Sequence, residues 1–220
     1  MATDPLKEYI SERVFLYRTA DCRFGEDALR LAEFAAPEAA MRVCDLGTGG
    51  GILPLWWHAQ PRPPLHIDAV ELQSDAAALA ARSVAENGLS DRIAVHTADW
   101  NELQGRLPAG GYDLVTCNPP YFPAGGGKVS QNDSDRIARH EPSPAMLSQL
   151  CAAMARLCKM GGQACLCHRP ERMADVLCAL RESGLEPKQV RILCHGDTPW
   201  LLLVRAQRGG HHGVTVEISR

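Results

Sequence analysis

Residues 41–51, MRVCDLGTGGG, run a short apolar stretch into a cluster of glycines, and this junction decides the fold. The stretch 41–46 predicts a buried strand. The glycines let the next turn be tight and let a ligand approach the backbone. Residues 51–60 predict a helix after it. Outward from this junction the strand-then-helix unit repeats. LHIDAVEL (65–72) is a second strand, followed by a helix with Ser74 as N-cap and Gly88 as its stop. RIAVHTAD (92–99) and YDLVTC (112–117) are the third and fourth strands. A helix from Ser143 to Lys159, with Pro144 in its first turn, leads to GQACLCH (162–168), and a helix over 170–183 stops at Gly184. PKQVRILCH and WLLLVRA leave no room for a helix between them, which predicts an antiparallel pair. The repetition predicts an α/β, doubly wound, mainly parallel seven-stranded sheet ending in an antiparallel strand. With a helix at about 25–36, residues 1–220 read as one domain with a short N-terminal helical extension over about 1–40.

The 220 residues suffice for a sizeable core, and 45% hydrophobic with 22% charged residues is ordinary for a globular chain. No apolar run approaches the roughly 18 residues of a membrane span, and the opening MATDPLKEYISERVF has no apolar core of a signal peptide. The nine cysteines are odd in number and several sit in apolar runs, so they read as reduced core residues of a cytoplasmic protein. Cys165 and Cys167 fall on one face of a strand, and the CxxC spacing of zinc sites is missing, so no metal is expected. Charge is unevenly spread. Residues 1–135 carry 11 basic and 19 acidic side chains, whereas residues 136–220 carry 12 and 7. Such asymmetry can mark a polyanion-facing surface.

In open parallel sheets, ligands bind beyond the carboxyl ends of the strands. The first strand ends in Asp45-Leu46-Gly47-Thr48-Gly49-Gly50-Gly51. A dinucleotide fingerprint needs glycine where Ile52 stands, and a phosphate-binding loop needs GK[ST], so neither ligand is favoured. An acid just before the turn fits S-adenosylmethionine, whose methionine part carries a cationic amino group. Glu71, at the end of the second strand, is placed to accept from ribose hydroxyls, with Leu72 beside it. Asp99, at the end of the third, can accept from an adenine amine, and Trp100 can stack on the ring. The fourth strand ends in Asn118-Pro119-Pro120-Tyr121-Phe122. The two prolines stiffen an extended backbone. They fix the Asn118 side-chain oxygen and the Pro119 carbonyl as two acceptors for a planar NH2, with Tyr121 as a stacking ring.

DLGTGGG together with NPPY resembles the amino-methylating class of S-adenosylmethionine-dependent methyltransferases, which share a Rossmann-like seven-stranded sheet. In that class the asparagine and the proline carbonyl hold the target nitrogen, and the aromatic residue packs on the target group. RFGEDALRLAEF (23–34), ELQ after the second strand, NPPYF and RIARHE (136–141) are similar to bacterial tRNA(Val) adenine-N6 methyltransferases. That resemblance implies a tRNA substrate. It places Phe24 and Asp27 near the cofactor and substrate mouth, and Pro120, Phe122, Arg136, Arg139 and His140 beside the substrate. The alternatives are a protein glutamine N5-methyltransferase acting on release factors, which carries a long helical domain where this chain has only 44 residues before Asp45, and a ribosomal RNA base methyltransferase.

Overall fold

Apolar runs with no polar alternation must be covered on both faces, and the strands are used that way. The computed structural model describes residues 5–120, 122–123, 140–141 and 145–220, with the two short middle stretches described by strand pairing alone. The chain opens in an antiparallel hairpin of β1 (Leu6–Tyr9) and β2 (Phe15–Arg18). Next come α1 (Glu26–Ala35), β3 (Arg42–Leu46), α2 (Ile52–His58), β4 (His66–Glu71), α3 (Ser74–Glu86), β5 (Ile93–Thr97) and β6 (Tyr112–Cys117). A small parallel pair, β7 (Phe122–Pro123) and β8 (His140–Glu141), precedes α4 (Met146–Leu157) and β9 (Cys158–His168). The chain then forms α5 (Met173–Glu182), β10 (Leu185–His195), β11 (Thr198–Arg208) and β12 (Thr215–Ser219).

The main sheet has the order β12-β10-β11-β9-β6-β3-β4-β5. All neighbours run parallel except β11, which is antiparallel to both β9 and β10. From β3 the chain builds outward through β4 and β5, then crosses back to lay β6 on the other side. This reversal opens a crevice outside the carboxyl ends of β3 and β6, where open sheets take their ligands. One face of the sheet is covered by α1, α2 and α3, and the other by α4 and α5, with a buried cluster on each side. Trp57 is locked under α1, its indole N–H donating to the Ala32 carbonyl at 3.0 Å. Among the described residues no helix is long and apolar enough to cross a membrane.

The doubly wound sheet is as expected, with two differences. The N-terminal extension is a hairpin followed by one helix, not helical throughout. The hairpin is held from outside: the Tyr17 N–H donates to Ser83 Oγ at 2.9 Å, and the Asn87 amide exchanges bonds of 3.1 and 2.7 Å with the Phe15 backbone. The main sheet also has an eighth strand. β12 buries no apolar side chain and pairs parallel with β10 through its backbone and through Glu217, which accepts from Arg191 and Gln189 at 2.8 and 2.9 Å. Hydrophobic patterning does not register such a strand.

Candidate active site

The turn from β3 into α2 depends on left-handed backbone. Gly47, Gly49 and Gly51 have φ of +67°, +56° and +85°, where a side chain is strained. Space is short as well. A Cβ on Gly51 would meet the Ala80 Cβ at 3.3 Å, and one on Gly50 would meet the Cys22 sulfur at 3.2 Å. The Trp100 ring lies 3.5 Å from where a Gly47 Cβ would stand, so the indole covers the turn.

Asp45 lies under this turn, 1% exposed. Its Oδ1 accepts from Thr116 Oγ1 at 2.6 Å, across the β3–β6 pairing that sets the two residues side by side. Oδ2 of Asp45 and Oγ1 of Thr48 are both buried with no partner at hydrogen-bond geometry among the described residues. Burial pushes the Asp45 carboxyl up to about 7; the Thr116 and Thr48 hydroxyls act in the opposite sense, and nearby Glu71 adds to the rise. A cationic ligand group would satisfy such an orphaned oxygen and restore its charge.

Glu71 ends β4 and is 6% exposed. Its Oε2 accepts from Gly49 N and its Oε1 from Gln73 N, both at 2.8 Å. The same carboxylate therefore braces the glycine turn, and each of its oxygens has capacity for a further donor. Leu72 follows, 57% exposed at the crevice. Asp99 caps a 3-10 turn over Trp100–Glu102, its Oδ1 accepting from Asn101 N at 2.8 Å and Asn101 Nδ2 at 3.0 Å.

Asn118 follows the last residue of β6 and is half-buried. Its Nδ2 donates to Asp27 Oδ2 at 3.3 Å, and its Oδ1 accepts from Cys167 Sγ at 3.1 Å. Pro119 is buried, while Pro120, Phe24 and Asp27 are half-buried. Phe24 packs on the cluster beneath α1. Asp45, the glycines, Glu71, Asp99 and Asn118 thus lie at the carboxyl ends of four adjacent strands, β6-β3-β4-β5. Phe122 and His140 are register partners in the β7–β8 pair. Tyr121, Arg136 and Arg139 lie outside the described residues.

A groove of about 380 Å³ opens along the outer side of α1, between Glu26 and Arg30 on the helix and Arg191, His195 and Trp200 on β10 and β11, with Arg220 just after β12. The rings of His195 and Trp200 stack 4.9 Å apart. Glu26 on this groove adjoins Asp27, which touches Asn118.

Three residues at the site carry no signal in the sequence. Thr116 and Cys167 reach the site from neighbouring strands, and Cys22 comes from the loop after β2. Each is an ordinary core-type residue whose contact depends on strand order. Both sulfurs of the CLC sequence are buried core groups, yet Cys167 also meets Asn118. His168, at the end of β9, is buried; its Nδ1 accepts from Arg169 N at 2.9 Å, and desolvation, followed by the nearby Arg172 charge, lowers its pKa to about 4.

The sequence model of the methyltransferase small domain family matches residues 23–140, more than half of the chain. A tRNA1(Val) (adenine(37)-N6)-methyltransferase of Aeromonas salmonicida is 35% identical over 157 residues, 71% of this chain and 63% of the relative. A ribosomal protein uL3 glutamine methyltransferase of Bordetella pertussis is 38% identical over 110 residues, 50% of this chain and 34% of the relative. The chain thus spans less than two thirds of the length of either. Among solved structures, a predicted O-methyltransferase of Agrobacterium tumefaciens superposes with a TM-score of 0.68 at 22% identity, covering 88% of this chain and 86% of its own.

Proposed function

The chain belongs to the methyltransferase small domain family, and from that premise we propose that it is an S-adenosylmethionine-dependent N-methyltransferase acting on an exocyclic amino nitrogen. One observation carries this reading: Asn118 stands at the end of β6 directly beside the glycine turn at the end of β3.

The residues present fit the cofactor. The orphaned Asp45 Oδ2 and Thr48 Oγ1 are polar atoms buried under the turn, and the glycines leave the space side chains would fill. Asp45, with Gly47, Thr48, Gly49 and Gly51, would hold the methionine end, Glu71 the ribose, and Leu72, Asp99 and Trp100 the adenine. When bound, S-adenosylmethionine supplies a methyl group on a sulfonium, an electrophile whose departure leaves a neutral thioether. The chain contributes orientation. Asn118 Oδ1 and the Pro119 carbonyl accept the two N–H groups of the target amine. They draw its lone pair out of conjugation and aim it, which is preorganised electrostatics rather than base catalysis. The resemblance assigns Tyr121 and Phe122 to the flat face of the target, and water takes the surplus proton.

The favoured target is adenine N6 in tRNA. Its support is a match to an adenine-N6 relative that covers 71% of this chain. The excess of basic residues after position 135 points the same way. An anticodon-loop base is already partly unstacked, which lowers the cost of presenting it. The second reading, a glutamine amide of a ribosomal protein or release factor, is favoured by the 38% identity to the uL3 enzyme. Labelled methyl transfer to unmodified tRNA, run beside glutamine-containing peptides, separates them. Label on the tRNA is the expected result. Label on the peptide alone overturns the target and keeps the chemistry.

A further inference from the structure

We infer that Asp27 and Cys167 are positioning residues that grip the Asn118 amide at its two ends, so that its oxygen and not its nitrogen is presented to the target amine; this rests on the role of Asn118 proposed above. A carboxamide has nearly the same shape in its two flipped orientations, which differ in the end that donates. A target NH2 bringing N–H donors needs the oxygen end. In the flipped orientation the Asn118 N–H groups would oppose the incoming N–H groups.

The two contacts select the productive orientation. Asp27 Oδ2 receives Nδ2–H at 3.3 Å, and a carboxylate can only accept, so it favours the nitrogen end. Cys167 Sγ donates to Oδ1 at 3.1 Å from the other side. A carbonyl oxygen carries two lone pairs, so one donor does not by itself exhaust it. Donation from Nδ2 to a carboxylate also polarises the amide and makes Oδ1 a stronger acceptor.

Both holders are themselves held. Asp27 lies in the first turn of α1, and a Cβ on Gly25 would come within 2.4 Å of its Oδ1, so the missing side chain at 25 makes room for the carboxylate. Cys167 is the second-last residue of β9 and fully buried. The β6–β9 register sets Cys117 opposite Leu166, which brings Cys167 level with Asn118.

The test is single-turnover methyl transfer, using whichever of tRNA and glutamine peptide accepts label, in the parent and in an Asn118→Ala background. Asp27→Ala and Cys167→Ala should each slow transfer about tenfold in the parent, the loss of one hydrogen bond of this kind. Cys167→Ser, which keeps a donor, should retain most of the rate. In the Asn118→Ala background neither alanine change should slow transfer further, because there is no amide left to orient. Calorimetry should show unchanged cofactor affinity. Should Asp27→Ala fail to fold, Asp27→Leu, of similar size and with no acceptor, replaces it, with the same loss expected. Parent-like rates, or equal losses in both backgrounds, overturn the inference. If Asn118→Ala itself transfers at the parent rate, the role of Asn118 falls instead.

Discussion

Replacing Asp45 with asparagine should make the protein more stable above neutral pH while removing its hold on the cofactor. The folded state keeps this carboxyl at about 7 against an ordinary value of 3.8, with burial the main cause. Between those two pH values the folded protein binds more protons at Asp45 than the unfolded chain does. Stability therefore falls as pH rises through that window, and the loss is complete once both states are ionised. A carboxyl raised from 3.8 to about 7 weakens the fold by roughly 4 kcal/mol at pH 8. Asparagine carries no such penalty. Its Oδ1 can still accept from Thr116 Oγ1, as Asp45 does at 2.6 Å, and its amide N–H can donate to the nearby Thr48 hydroxyl. The assay is urea unfolding of the cofactor-free parent and variant at intervals from pH 4 to 8. Other groups titrate in the same range, notably buried His168, whose lowered pKa makes the fold gain stability as pH rises. Subtracting parent from variant cancels these. The difference should be small at pH 4 and reach a few kcal/mol by pH 8, in favour of the variant. A variant no more stable than the parent at pH 8, or a gap that ignores pH, would refute the account of Asp45 as an ionised charge held for a cationic ligand.

Glu71→Ala should weaken S-adenosylmethionine binding by about 1–3 kcal/mol in calorimetry, and should also loosen the turn, since Gly49 N and Gln73 N lose their acceptor; unchanged affinity sinks the ribose assignment. Gly51→Ala forces a side chain into a φ of +85° against Ala80 and should cost about 2 kcal/mol in urea unfolding, whereas a loss under about 0.5 kcal/mol would show that the turn relaxes freely. Charge reversal at Arg136 or Arg139 should weaken RNA binding and flatten its dependence on salt without moving cofactor affinity; identical salt slopes would detach these residues from the substrate. Asn118→Ala should lower single-turnover transfer by roughly 10²–10³ with cofactor binding spared, and near-parent transfer would end the proposed mechanism.

The parallel strands were legible in the sequence because they are buried on both faces, so MRVCDL and YDLVTC stand out as unbroken apolar runs. The hairpin and β12 were not, because their pairing is secured by polar contacts from elsewhere. Tyr17 and Phe15 are tied to Ser83 and Asn87 far along the chain, and Glu217 to Arg191 and Gln189. A four-residue segment such as FLYR carries too little periodicity to separate strand from helix by pattern alone.

The site shows the same division. Asp45, Glu71, Asp99 and Asn118 were recognisable because each ends a strand, and in this topology strand ends converge. Their partners were hidden, because a strand's sequence does not state its neighbour. Thr116 reads as one polar residue inside an apolar run until β6 is laid beside β3, and then it is the donor to Asp45. Cys167 reads as core until β9 is laid beside β6, and then it is the donor to Asn118. Both partners lie on or beside β6, the strand placed where the strand order reverses. The crossover that opens the crevice therefore also brings in the side chains that hydrogen-bond to Asp45 and Asn118. A change in the packing of β6 against β3 or β9 should disturb cofactor binding and amide orientation together, even where it touches neither residue.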